Sequence, residues 1–217
     1  MQEKSGMTIM ISKQDKKGSI TVPSPALEGK TGHILCRGLT QGPKRLFIAL
    51  PLPQEIKEKI WENTGKKIPK EQLSVVNKDK LHVTLCFLGN RTTEEQKKVE
   101  QALEKIKQNE FEVALFGISH FNKRVLFVQI TRGAMELEKI AKGLAEQTKM
   151  CDEKFHAHVT LARNKKMEAQ KFAKMSENLN KEKTRLVFLA KEIVLFESKL
   201  SPRGSVYTIV CSKNLEE

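Results

Sequence analysis

The chain has 217 residues, enough for one large domain or two small lobes around a substantial core. Its composition, 39% hydrophobic and 30% charged, is that of a globular protein, and no apolar run approaches the roughly 20 residues of a membrane-crossing helix. The formal net charge of +13 favours anionic partners, above all those that present phosphates; the plain alternative is that the Lys-rich stretches 57–70, 97–107 and 164–183 only solvate helix faces.

Residues 1–44 mix Gly, Ser, Lys and Thr with isolated apolar patches and read as a weakly ordered extension, with at most a short hairpin. They lack the continuous apolar core of a secretory signal and the Arg-rich amphipathic helix of a transit segment. From Arg45 the character changes. RLFIAL at 45–50 predicts a buried strand that the following PLP ends. Ile56, Ile60 and Trp61 at helical spacing predict a helix over 54–66. HVTLCFLG predicts a second strand, stopped by Gly89 and Asn90. Thr92 or Thr93 then caps a helix in which Val99, Ala102, Leu103 and Ile106 recur at i, i+3, i+4 and i+7.

A second half begins near Glu110. FEVALFGIS and RVLFVQI predict two strands joined through His120, Phe121, Asn122 and Lys123. Leu137, Ile140, Ala141, Leu144 and Ala145 mark a helix, and FHAHVTLA predicts a strand over 155–162. Phe172, Met175 and Leu179 mark another helix. Two closing strands fit 186–197 and 205–211, linked by a turn at Ser201, Pro202, Arg203 and Gly204. Each half thus carries strands, a helix, an HVTL strand and a further helix. The motif recurs at the corresponding place in each half, with His82 and His158 76 residues apart, too far for a solenoid repeat and suited to two pseudo-symmetric lobes.

On a strand, residues i and i+2 share a face. His82 and Thr84 therefore point one way, with Val83 and Leu85 behind them. His158 and Thr160 are backed by Val159 and Leu161 in the same manner. If the two polar faces meet, a cleft holds two imidazoles and two hydroxyls. That set suits a phosphodiester. One imidazole takes a proton from the attacking oxygen and the other gives one to the leaving oxygen, both states being accessible near neutral pH. The Thr hydroxyls can donate to non-bridging phosphate oxygens. No metal or other cofactor is expected. A zinc set drawn from His82, Cys86, His156 and His158 is the competing reading, with Cys86 taken to share the parity of His82. It ranks lower because neither motif holds a carboxylate and the threonines would have no part in it. His156 then reads as a structural neighbour of the cleft. A lone His or Thr on a strand would mean nothing, and it is the doubling that carries weight. No GxSxG elbow or Gly-rich phosphate loop is present.

The four cysteines, at 36, 86, 151 and 211, are widely spaced with no CxxC pair. They predict free thiols in a reducing, cytoplasmic setting, with Cys86 a small packed residue.

RLFIALPLP at 45–53, LHVTLCFLG at 81–89, FHAHVTLAR at 155–163 and VLFESKLSPRGSVY at 194–207 together resemble the 2H phosphoesterases, and most closely the RNA 2',3'-cyclic phosphodiesterase (LigT-like) branch. The resemblance covers residues 45–212 and leaves 1–44 as an addition. It implies an α+β, bilobal fold of two pseudo-symmetric, mainly antiparallel sheets lining a central cleft, with helices outside. The lobes would span roughly 45–109 and 110–212, with strand exchange between them allowed for. It implies hydrolysis of RNA 2',3'-cyclic phosphate ends to 2'-phosphates, with His82 as acid, His158 as base, and Thr84, Thr160 and Arg163 on the phosphate. It also implies partners that are RNA ends or nucleotides carrying a cyclic phosphate. A cytoplasmic monomer that does not engage membranes is expected. Ser198 and Tyr207 in the closing motif read as structural. The alternatives are a phosphodiesterase acting on 2'-5' linkages or small cyclic phosphates, and an RNA- or nucleotide-binding module without turnover.

Overall fold

A computed structural model of the protein describes residues 42–151, 154–181, 185–202 and 204–217. The extension expected over 1–44 lies outside these residues except for its last three. In chain order the elements are β1 (Lys44–Pro51), α1 (Gln54–Asn63), β2 (Leu73–Val75), β3 (His82–Arg91), α2 (Thr93–Glu104), β4 (Phe111–Phe121), β5 (Val125–Arg132), α3 (Ala134–Thr148), β6 (His158–Asn164), α4 (Ala169–Lys181), β7 (Leu186–Ala190), β8 (Glu192–Ser201) and β9 (Gly204–Asn214).

Local chemistry explains most boundaries. The Thr92 hydroxyl accepts from Glu95 N at 3.3 Å and the Glu95 carboxylate accepts from Thr92 N at 2.9 Å, a capping box that starts α2 where the sequence predicts it. The β4–β5 hairpin turns on Asn122 and Lys123, both left-handed at φ 46° and 55°. Arg124 N donates to the Phe121 carbonyl at 2.8 Å and closes a tight turn over these two residues, ahead of the Phe121–Val125 pair, and Asn tolerates the left-handed conformation better than most.

The strands form one antiparallel sheet in the order β7-β4-β5-β6-β3-β1-β8-β9, with β2 paired to β6. The two sheets expected to line the cleft are therefore continuous. They meet where β3 and β6 pair through Val83 and Val159. Counting outward from that junction, β6-β5-β4-β7 mirrors β3-β1-β8-β9, so a pseudo-two-fold axis passes between the two HVTL strands. The valines at the axis are fully buried, as are Leu85 and Leu161 beside them. Burying each such side chain contributes about 1.5–3 kcal/mol.

Two differences from the sequence reading have clear causes. The apolar run 186–197 is not one strand. It breaks at Lys191 into β7, which pairs with β4, and β8, which pairs with β1, so the chain crosses from one half of the sheet to the other. Both pieces are apolar, so hydrophobicity does not mark the crossing. The second difference is a β-bulge at the same place in both motifs. Ile48 pairs with Cys86 and Ala49 with Thr84, skipping Leu85. Leu126 pairs with Ala162 and Phe127 with Thr160, skipping Leu161. An extra residue reverses the alternation beyond it. Cys86 and Ala162 consequently turn into the core, and Phe87 and Arg163 take the outward positions. The parity that put Cys86 beside His82 is overturned.

Cys86 is also not a free thiol. It is bonded to Cys151, across a Cα–Cα distance of 5.3 Å, so β3 is tied to the segment that follows α3. The expectation of four unpaired cysteines is corrected for this pair. Cys211 is a buried thiol on β9.

Candidate active site

His82 and His158 each begin their strand and are held alike. His82 Nδ1 lies 2.6 Å from the Lys80 carbonyl, and His158 Nδ1 lies 2.7 Å from the His156 carbonyl. A carbonyl only accepts, so each neutral ring carries its proton on Nδ1 and presents the Nε2 lone pair. At His82 that lone pair receives the Thr84 hydroxyl at 3.0 Å. The Thr160 hydroxyl, half-buried beside His158, makes no hydrogen bond to any described residue.

The carbonyl that orients His82 belongs to a one-turn helix, Lys78–Lys80. The Asn77 side chain accepts from Asp79 N at 3.0 Å and caps this turn. Lys57 of α1 donates to the Asp79 carbonyl at 3.2 Å and fixes it from outside. Aromatic rings flank each imidazole. Phe47 and Tyr207 stand 5.1 and 5.6 Å from His82. Phe121 and Phe127 stand 5.0 and 5.3 Å from His158. His156, taken as a cleft neighbour, packs 5.1 Å from Phe121 and supplies the carbonyl that aligns His158.

Burial holds the His82 imidazole below its usual pKa; the Lys80 carbonyl opposes this, and the charges of Lys57 and His158 add to the lowering. Burial likewise lowers His158, opposed by the His156 carbonyl and reinforced by His156 and Arg163. The two histidines thus lie within electrostatic reach of each other. Burial raises the Tyr207 phenol, while Arg45 and Arg163 pull it back. Arg163, exposed, therefore acts on both His158 and Tyr207, which belong to opposite halves of the sheet.

The structure brings His82, Thr84, His158 and Arg163 into one electrostatic neighbourhood, with Thr160 on the His158 face. The zinc alternative loses its sulfur, because Cys86 faces the core and is bonded to Cys151. Sequence reasoning missed Phe47, Phe121, Phe127 and Lys57. It placed Tyr207 in the closing motif without seeing that it reaches His82. The usable signal was the chain's only Tyr sitting in a motif otherwise made of turn and strand residues.

A family profile described as the 2'-5' RNA ligase superfamily matches residues 53–201. The chain belongs to this superfamily. Its members are 2H phosphoesterases, and the relatives agree with that placement. The RNA 2',3'-cyclic phosphodiesterase of Escherichia coli K12 is 32% identical over 128 residues, covering 56% of this chain and 73% of the relative. The protein of the same name from Methanocaldococcus jannaschii is 26% identical over 170 residues, covering 76% and 98%. Among solved structures, E. coli LigT complexed with 3'-AMP superposes with a TM-score of 0.66 at 27% identity, covering 81% of this chain and 99% of that one. The α+β architecture is shared with these structures.

Proposed function

We propose that the chain is an RNA 2',3'-cyclic phosphodiesterase, a phosphoric diester hydrolase that leaves a 2'-phosphate and needs no metal. Water attacks phosphorus and the P–O3' bond breaks. His158 takes the proton from water and His82 gives one to O3' as it leaves. Thr84, Thr160 and Arg163 hold the non-bridging oxygens, whose charge rises in the transition state. The observation that carries this reading is the pairing of two similarly held imidazoles about the pseudo-two-fold axis, each with Nδ1 committed to a carbonyl, so that Nε2 is the nitrogen for proton transfer, shared at His82 with the Thr84 hydroxyl. The names of the relatives support the same activity. In the same proposal the chain acts as a cytoplasmic monomer, a setting that the Cys86–Cys151 bond does not itself favour. Among the described residues no helix is long and apolar enough to cross a membrane.

The matched family's description favours a second activity at the same site. If a 5'-hydroxyl replaces water, the same P–O3' bond breaks and a 2'-5' linkage forms.

Incubation with an oligonucleotide ending in a 2',3'-cyclic phosphate, with chelator present, is expected to yield the 2'-phosphate. A folded sample that yields none refutes the proposal. The pH profile adds a second check. The base must be neutral and the acid protonated, and both imidazoles are lowered. The bell in kcat/KM therefore lies on the acid side of the unperturbed value near ~6.5. Activity is expected to fall as pH rises from about 6 to 8, because the acid loses its proton. An optimum above neutrality contradicts the lowered values.

A further inference from the structure

Beyond Arg163 the surface carries two adjoining cavities. The first, of about 510 Å³, is lined by Arg124, Arg163, Asn164 and Lys165 among others. The second, of about 530 Å³, is lined by Trp61, Lys70, Ser74, Asn77 and Lys78, and it shares Lys165 with the first. The β2–β6 pairing joins them, with Ser74 opposite Arg163.

Five cations line this path, and Asp79 is the one carboxylate lining either cavity. Lys78 has Glu58 at 4.0 Å. Among the described residues, no carboxylate forms an ion pair with Arg124, Arg163, Lys165 or Lys70. The Lys70 ammonium instead stands 5.5 Å over the Trp61 ring. Clustered cations without partners repel one another, and an anion laid among them relieves that repulsion. The path starts at β6, whose six steps from His158 to Asn164 span roughly 20 Å at about 3.3 Å per residue. A single cyclic nucleotide at His158 leaves most of it empty.

We infer that this trough holds the phosphate backbone of single-stranded RNA upstream of the cyclic end. Its cations take successive phosphates, and Lys70, held over the Trp61 ring, marks the far end. The inference rests on the proposed activity and narrows it. The preferred substrate is an oligonucleotide, not a mononucleotide.

The test compares the wild-type chain with an Arg124→Glu/Lys165→Glu variant on two substrates: a cyclic-phosphate-ended decanucleotide and the mononucleotide 2',3'-cyclic AMP. The variant is expected to raise KM for the decanucleotide roughly 10-fold, and its salt dependence should be shallower by about one unit of log–log slope per charge site altered. Turnover of the mononucleotide should not change. Equal losses on both substrates, or none on either, overturn the trough. If the wild type hydrolyses neither substrate, the functional reading falls instead. Fluorescence anisotropy with a 2'-phosphate-ended decanucleotide then decides the trough: weaker binding and a shallower salt slope in the variant support it, and unchanged binding overturns it.

Discussion

Replacing His82 or His158 by alanine is expected to lower kcat on a 2',3'-cyclic-phosphate end by roughly 10²- to 10⁴-fold, the range for loss of a positioned acid or base. In barrier terms that is about 3–5 kcal/mol at about 1.4 kcal/mol per decade. KM should move much less, because the proton transfers occur in the transition state and Thr84, Thr160 and Arg163 remain to hold the phosphate. The double variant should cost little more than the worse single one, since each imidazole works only when the other does its part. Single-turnover measurements with a circular-dichroism check of folding suffice to test this. Activity within a few-fold of wild type in either single variant removes that residue from the mechanism. The division of labour has its own readout. A p-nitrophenyl phosphodiester has a leaving group that needs no protonation, so the variant lacking the acid is relatively spared on it. Under the proposed roles that variant is His82→Ala. Sparing of His158→Ala instead exchanges the two roles and leaves the rest of the scheme standing.

The parts legible in the sequence were those written in local periodicity. The alternation His-Val-Thr-Leu fixes the polar and packing faces of both strands, and Val83, Leu85, Val159 and Leu161 are indeed buried. The alternation stops being informative at the leucine, because the bulge depends on the register with β1 and β5, which no single strand records. Phe87 and Arg163 hold equivalent outward positions for this reason, yet one is apolar and the other charged, so nothing in their identities reveals the equivalence. The break at Lys191 was hidden in the same way, since the runs on both sides of it are apolar and only the strands' partners differ. Capping is the opposite case. Thr92 and Glu95 are three residues apart, so their reciprocal bonds can be read directly. The aromatic walls lay between these extremes. Each ring sits on a strand the sequence predicts, but its approach to an imidazole depends on strands folding next to one another.

The other large effect concerns Cys86 and Cys151, whose pairing across 65 residues no spacing rule could have found. A crosslink of that span removes chain entropy from the unfolded state worth about 4 kcal/mol in the loop-closure treatment. Reduction, or Cys151→Ser, is expected to lower stability by an amount approaching that figure, read as a drop in the guanidinium midpoint with a steeper slope, because the uncrosslinked unfolded chain is less compact. Cys86 occupies the packed face of β3, whereas His82 and Thr84 occupy the other, so opening the bond should leave kcat near its oxidised value while the protein remains folded. The bond also holds the end of α3. There Lys149 is left-handed at φ 54°, and the Thr148 hydroxyl, donating to the Leu144 carbonyl at 2.7 Å, lies 3.6 Å from the Cys151 sulfur. The chain runs from this point to His156 and His158. Heating the reduced protein should therefore cost activity below the temperature at which the oxidised form loses it. Identical midpoints with and without reductant would show that the bond contributes nothing to stability, and the connection between β3 and α3 would then rest on packing alone.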